Sequence, residues 1–263
     1  MIAVEKYGPV TRIRFSTGRS RAVGYEVSAF LLRGMLIDCG FPDVESDLAA
    51  VISEHSPRGV VLTHAHEDHA GNVEYLARRR MPIAAATPTL DLLQSEPSIG
   101  LYRRFCWGVP ARLTSPIVPF VPDGLELIAA PGHSLDHHVA WEPGTRTLFS
   151  ADLFLGVKVR VVRPGEDPRL LARSLRTIAR LEPDTMFDSH RGLIPNPVAT
   201  LIAKADWLDA TIAHIDALAR EGMNDHAIRR AVLGAEDAVY WFSAGDLSRI
   251  NFVRAVLRSG EKL

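Results

Sequence analysis

The run "THAHEDHAGN", Thr63 to Asn72, sets three histidines and two acids within the six residues from His64 to His69. Polar groups at the end of an apolar strand are costly unless something compensates them. In an extended chain, residues two apart share a side, so His64 and His66 can present their imidazoles toward one point, with Asp68 two further on. As the chain turns into a helix, with Gly71 giving backbone freedom, His69 can be aimed at a neighbouring point. Imidazoles and carboxylates are ligands for zinc, iron(II) or manganese, and two points of convergence imply two adjacent ions. Glu67 is expected to face away, because adjacent extended positions alternate.

One cluster cannot complete two metal shells, so further ligands must come from other strand ends. Three polar residues follow apolar runs in that way: His133 in "APGHS", Asp152 in "LFSADLF" and His190 in "MFDSHRG". A single such histidine would be unremarkable, since strand-end polar groups usually just hydrogen bond. Three in company with the first cluster are not.

The elements that must carry these residues can be read from periodicity. "VTRIRFS" alternates, and "EVSAFLLRGMLID" reads as two strands joined at Arg33-Gly34. "PDVESDLAAVISEH" has helical spacing, and "GVVLT" is a short apolar strand leading into His64. Next come "GNVEYLARRR" as a helix, "MPIAAAT" as a strand and "PTLDLLQS" as a helix with Pro88 in its first turn. From Leu125 the pattern is β again, with "EPGT" as a hairpin turn, then a helix capped by Asp167, and "DTMFDSH" as the last strand. Beyond Asn196 the patterns are helical only. The expected organisation is a mixed α/β body over 1–195 and a helical C-terminal extension over 196–263 packed on it.

Bulk properties narrow the classes. The chain has 263 residues, 47% hydrophobic and 23% charged, with a formal net charge of -1, so nothing global favours nucleic acid or a membrane as partner. No apolar run approaches the roughly 18 residues of a span, and no leader pattern is visible, which points to the cytoplasm. Cys39 and Cys106 are too few for a disulfide framework. The expected partner is a small-molecule substrate; the apolar residues of the tail, including Trp207 and Trp241, would also suit a homodimer.

The sequence resembles the metallo-β-lactamase-fold hydrolases from about Val23 to Pro195. "LIDCG" (36–40), "THAHEDHAGN", "APGHSLDHH" (130–138), "SADLF" (150–154) and "DSHRG" (188–192) match the five motifs of that superfamily in order and approximate spacing. The resemblance implies an αββα sandwich with two divalent ions at its edge, zinc foremost, with iron or manganese as alternatives. It implies that His64, His66 and His133 hold one ion, that Asp68, His69 and His190 hold the other, and that Asp152 bridges them. Asp38 matches an acid that orients the site, and His137 a second histidine that supports it. The implied reaction is hydrolysis by a hydroxide bridging the metals, with Asp68 relaying a proton. An acid at position 152 resembles glyoxalase II-like and lactonase-like members, so a thioester, lactone or related ester is the expected substrate. The alternatives are an RNase Z-like phosphodiesterase and an iron-dependent persulfide or oxygen oxidoreductase.

Lys158 sits near a glutathione-binding lysine of the glyoxalase II-like branch. Between Gln94 and Ile117 a long stretch carries Tyr102, Arg103, Phe105 and Trp107. It is expected to cover the metal site and contact substrate, or else to pack as a helical excursion.

Overall fold

The computed structural model describes residues 1–260. Two sheets lie face to face. The first holds β1 (Ile2–Tyr7), β2 (Val10–Phe15), β3 (Val27–Leu32), β4 (Met35–Ile37), β5 (Gly59–Val61), β6 (Pro82–Ala84) and β7 (Val118–Pro119), in that order. Pairing is antiparallel from β1 to β4 and parallel from β4 to β7. The second sheet runs β12 (Gly192–Ile194), β11 (Thr185–Asp188), β10 (Thr147–Ala151), β9 (His138–Glu142), β8 (Glu126–Ala129). Only β10 and β11 are parallel there. β12 corrects the expectation that "DTMFDSH" is the last strand. Its three residues are too short to show a period, and it exists because it pairs with β11.

Period-2 alternation explains why the central strands are apolar on both sides. In β3, Val27, Ala29 and Leu31 face helices, while Phe30 and Leu32 face the other sheet. In β9 to β11, Val139, Trp141, Leu148 and Met186 face the second helical layer, and Ala140, Phe149 and Phe187 face inward. The seam is filled by aromatic contacts of Phe30 with Phe149 and Phe187, at ring-centroid distances of 5.2 and 5.4 Å. The outer layer over the second sheet is the helix Pro168–Ala179 with the C-terminal helices, whose Leu201, Leu208, Ile212, Phe252 and Val253 share one core with that sheet. Asp167 caps Pro168–Ala179, accepting hydrogen bonds from the N–H groups of Arg169 and Leu170. The chain is thus an αββα sandwich with a helical C-terminal region.

The long stretch after Gln94 contains a two-turn helix, Leu101–Trp107. Trp107 is 4% exposed and packs on Phe41 and Tyr25. The return of this stretch is pinned by Glu74, which accepts from the N–H and hydroxyl of both Thr114 and Ser115 at 2.9–3.1 Å. Burial pushes the Glu74 carboxyl up, but these donors and Arg78 prevail and hold it at about 2, against 4.5 for an ordinary glutamate. A carboxyl easier to ionise when folded contributes stability that is complete above pH 4.5 and is lost as pH falls toward 2. Glu74→Ala is expected to cost about 1–3 kcal/mol at pH 7, because two backbone donors lose their acceptor. Urea midpoints at pH 7 and pH 3 check this: the gap between wild type and variant should narrow at the lower pH, and equal midpoints at pH 7 would refute the role.

Candidate metal centre

All seven ligand candidates lie at one edge of the sandwich, past the carboxyl ends of β5, β10 and β11 and in the β8–β9 turn. Two donor sets result: His64, His66, His133 and Asp152, and Asp68, His69, Asp152 and His190, with the donor atoms of each set within 4.8 Å of one another. Asp152 belongs to both. In the first set, His66 Nδ1 is 3.0 Å from His64 Nε2 and 2.9 Å from His133 Nε2, and Asp152 Oδ2 is 3.2 Å from His133 Nε2. In the second, Asp152 Oδ1 is 3.2 Å from His69 Nε2 and 3.3 Å from His190 Nε2, which is 3.4 Å from Asp68 Oδ2.

These spacings allow a test of fit. Four donors at the usual 2.0–2.2 Å around a tetrahedral ion are roughly 3.4 Å apart. Ring nitrogens that converge at 3 Å repel through their lone pairs unless a cation or a proton lies between. His69 Nε2 and Asp152 Oδ1 are buried with no hydrogen-bond partner among the described residues. Such orphans are rare in a folded interior. The donor chemistry, the spacing and the orphaned atoms fit a pair of divalent ions.

The opposite ring nitrogens of His64, His69 and His190 have partners, which fixes those ring orientations. His69 Nδ1 donates to Asp38 Oδ2 at 2.7 Å, and His190 Nδ1 donates to the Glu26 carbonyl at 2.6 Å. Thr63 Oγ1 donates to Asp38 and lies 3.0 Å from His64 Nδ1. His137 Nδ1 donates to the Ala130 carbonyl at 3.1 Å, leaving Nε2 to accept from the Asp152 N–H at 3.2 Å. His137 therefore steadies the chain at Asp152. Burial works against charge on His69 and His190, yet the carboxylates of Asp152 and Asp68 hold both imidazoles well above the ordinary histidine range. His64 and His66 go the other way, held low chiefly by burial and then by charged neighbours.

Two local readings need correction. Gly71 sits at φ -60°, so its freedom is not used. A Cβ there would lie 2.2 Å from the Glu67 carbonyl and 2.5 Å from Pro42, so glycine is needed for close approach. Glu67 opens a short helix, Glu67–Ala70, rather than continuing the strand, so alternation does not apply. It is 2% exposed and forms a bidentate ion pair with Arg103.

A cleft of about 650 Å³ opens on His66 and His133. Its walls include Leu92, Pro97, Ile99, Arg103, Pro110, Leu135, Arg163, Glu166 and Asp246. Of the expected substrate contacts, only Arg103 lines it. Tyr102 is buried and donates to Asp246 at 2.8 Å, Trp107 is committed to the core, and Phe105 is 45% exposed away from the cleft. Lys158 is exposed and outside it. Spacing within "LYRRFCW" could not sort these, because a helix sends neighbouring residues to different faces.

Several supporting residues went unread in the sequence. Asp136 accepts from the Ala65 N–H at 2.8 Å and the Ser134 hydroxyl at 2.7 Å, tying the His133 turn to the His64–His66 segment. Lys204, 2% exposed on the helix Pro197–Arg220, donates to the carbonyls of Leu153 (2.9 Å) and Phe154, next to Asp152. Glu166 Oε2 is 3.6 Å from His133 Nδ1. An acid one residue from a motif histidine was the only available signal, and it pointed to Asp136.

Comparison with known proteins agrees with this geometry. The Metallo-beta-lactamase superfamily model matches residues 23–190. The Beta-lactamase-like protein 2 homolog of Caenorhabditis elegans is 26% identical over 216 residues, 70% of this chain and 65% of that protein, so the match spans slightly under two thirds of the relative. A Hydroxyacylglutathione hydrolase of Chromohalobacter salexigens is 30% identical over 147 residues, 52% of this chain and 49% of that protein. Among solved structures, the DIM-1 metallo-beta-lactamase superposes with a TM-score of 0.58 at 16% identity, covering 80% of this chain and 97% of that one, a likeness of fold alone. With the matched model covering the body of the sandwich and every one of its donor residues, the chain belongs to the metallo-beta-lactamase superfamily.

Proposed function

We propose that the protein hydrolyses a small-molecule thioester, lactone or related ester. The observation that carries this reading is the pair of donor sets sharing Asp152, open to the cleft through His66 and His133. Two divalent ions, zinc foremost, would be held by His64, His66, His133 and Asp152 and by Asp68, His69, Asp152 and His190; when bound they supply hydroxide near neutral pH and a positive field for the carbonyl oxygen. The chain's own groups do the rest. Asp68 turns Oδ2 toward His190 and leaves Oδ1 without a partner, so Oδ1 is the atom on which a proton can be held and passed to the departing thiolate or alkoxide. The apolar wall of Leu92, Pro97, Ile99 and Leu135 would seat an acyl or thiol chain and exclude water. The hydroxyacylglutathione hydrolase relative supports a thioester as the first substrate to try.

Elemental analysis of protein purified without added metal should find about two divalent ions per chain. A panel of a glutathione thioester, an acyl lactone, a phosphodiester and a β-lactam should then show turnover of the thioester or lactone, abolished by chelation and restored by zinc. Activity that survives complete removal of metal, or turnover of the phosphodiester alone, would overturn the reading.

A further inference from the structure

Each carboxylate around the cleft accepts a hydrogen bond or an ion pair, and each arginine but one has a carboxylate partner. Glu67 is matched by Arg103, Glu96 by Arg112, and Asp246 accepts from Tyr102. Glu166 accepts from the Arg163 backbone N–H at 3.0 Å and faces His133. The guanidinium of Arg163 differs: among the described residues no carboxylate lies within 4.0 Å of it, and its Nε is buried with no hydrogen-bond partner. The polar side chains beside it are the Tyr102 hydroxyl, which is uncharged and donates to Asp246, and His66 Nδ1, 3.4 Å from Nη1. That nitrogen is one of the converging metal donors, so it cannot also serve as the lasting partner of a cation. A half-buried guanidinium without an anion is under-compensated, and its planar fork suits a two-oxygen anion.

We propose that Arg163 is a specificity residue that binds an oxyanion, carboxylate or phosphate, carried by the substrate close to the bond that is cleaved. This rests on the hydrolase reading above and narrows it to anionic substrates. Arg103 cannot take the role, because Glu67 already occupies its fork. Arg112 likewise is paired and lies farther out on the exposed rim. The residue reaches the site from the loop between β10 and the helix Pro168–Ala179, and the tail holds that loop in place: Val162 exchanges backbone hydrogen bonds with Ser248, and the Pro164 carbonyl accepts from Arg258.

The test uses metal-loaded wild type, Arg163→Met and Arg163→Lys with three N-acetylcysteamine thioesters: butyryl, which is neutral, succinyl, which ends in a carboxylate, and 3-phosphonopropionyl, which ends in a phosphonate. Wild type should favour a charged ester, and which one it favours identifies the anion. Arg163→Met should raise KM for that ester roughly 10- to 100-fold while changing the neutral one less than about twofold, with lysine between. Metal content should be equal in all three proteins. Calorimetric titration with free succinate and 3-phosphonopropionate gives a second readout, in which the methionine variant should lose the binding that wild type shows. An equal loss on neutral and charged esters, or unchanged anion binding, would overturn the proposal. If wild type cleaves none of the esters but its anion binding still depends on Arg163, the hydrolase reading fails and the anion site stands.

Discussion

Asp152→Ala is expected to lower hydrolysis by about 1,000-fold or more and to reduce bound metal well below that of wild type. The side chain reaches both donor sets, Oδ2 toward His133 and Oδ1 toward His69 and His190. Its charge is the largest attraction that holds the His69 and His190 imidazoles above the ordinary histidine range against burial, while those same imidazoles hold Asp152 itself well below the ordinary carboxylate range. Removing it leaves two imidazole groups facing each other with no shared anion. Metal-ion catalysis contributes several kcal/mol of charge stabilisation, and each 1.4 kcal/mol is about tenfold in rate, which gives the magnitude. Asp152→Asn separates charge from shape: it should keep circular dichroism and most of the melting temperature, yet lose metal nearly as the alanine variant does. Elemental analysis beside steady-state rates checks this. Full metal content and activity in the asparagine protein would dismiss the shared role of Asp152.

Asp38→Ala comes next in size because one buried carboxylate serves ligands of both sets. Asp38 is 2% exposed, follows β4 with φ +60°, and accepts from the Thr63 N–H at 2.9 Å, the Thr63 hydroxyl and His69 Nδ1. Through the Thr63 hydroxyl its influence extends to His64. The alanine variant should lose about 1–3 kcal/mol of stability from the stranded Thr63 donor, and metal affinity should fall about 10- to 100-fold. Asp38→Asn can still accept from Thr63, so it should recover much of the stability and little of the affinity. Denaturant melts of metal-free protein read the first effect, and competition with a chromophoric chelator reads the second. If both variants bind metal like wild type, Asp38 is a structural residue only.

The donor residues were legible because each requirement is local: an apolar strand, then a histidine or aspartate at its end. Asp167 was readable as a cap for the same reason, since an acid before proline and a helical period is a short-range pattern. What escaped was decided by contacts distant in sequence. Gly71 is set by Phe41 and Pro42, Glu67 by Arg103, and β12 by β11. Lys204 and Arg163 had no motif at all. A lysine in a helical pattern reads as solvated surface, and only the fold shows that Lys204 reaches two backbone carbonyls past Asp152, where burial pushes it down to about 8. The aromatic residues of 101–107 were read as one group, whereas the helix gives Trp107 to the core, Tyr102 to Asp246 and Arg103 to the cleft.

Each donor set draws on both sheets: His64, His66, Asp68 and His69 follow β5 of the first, and His133, Asp152 and His190 belong to the second. Metal binding is therefore also a clasp between the two halves of the sandwich. A ligand that binds only the folded state adds about 1.4 kcal/mol of stability for every tenfold rise in its free concentration above Kd. A population of this protein in a metal-starved setting would then be thinned by unfolding and proteolysis as well as by idle active sites, so its abundance, and not just its turnover, would follow the metal supply.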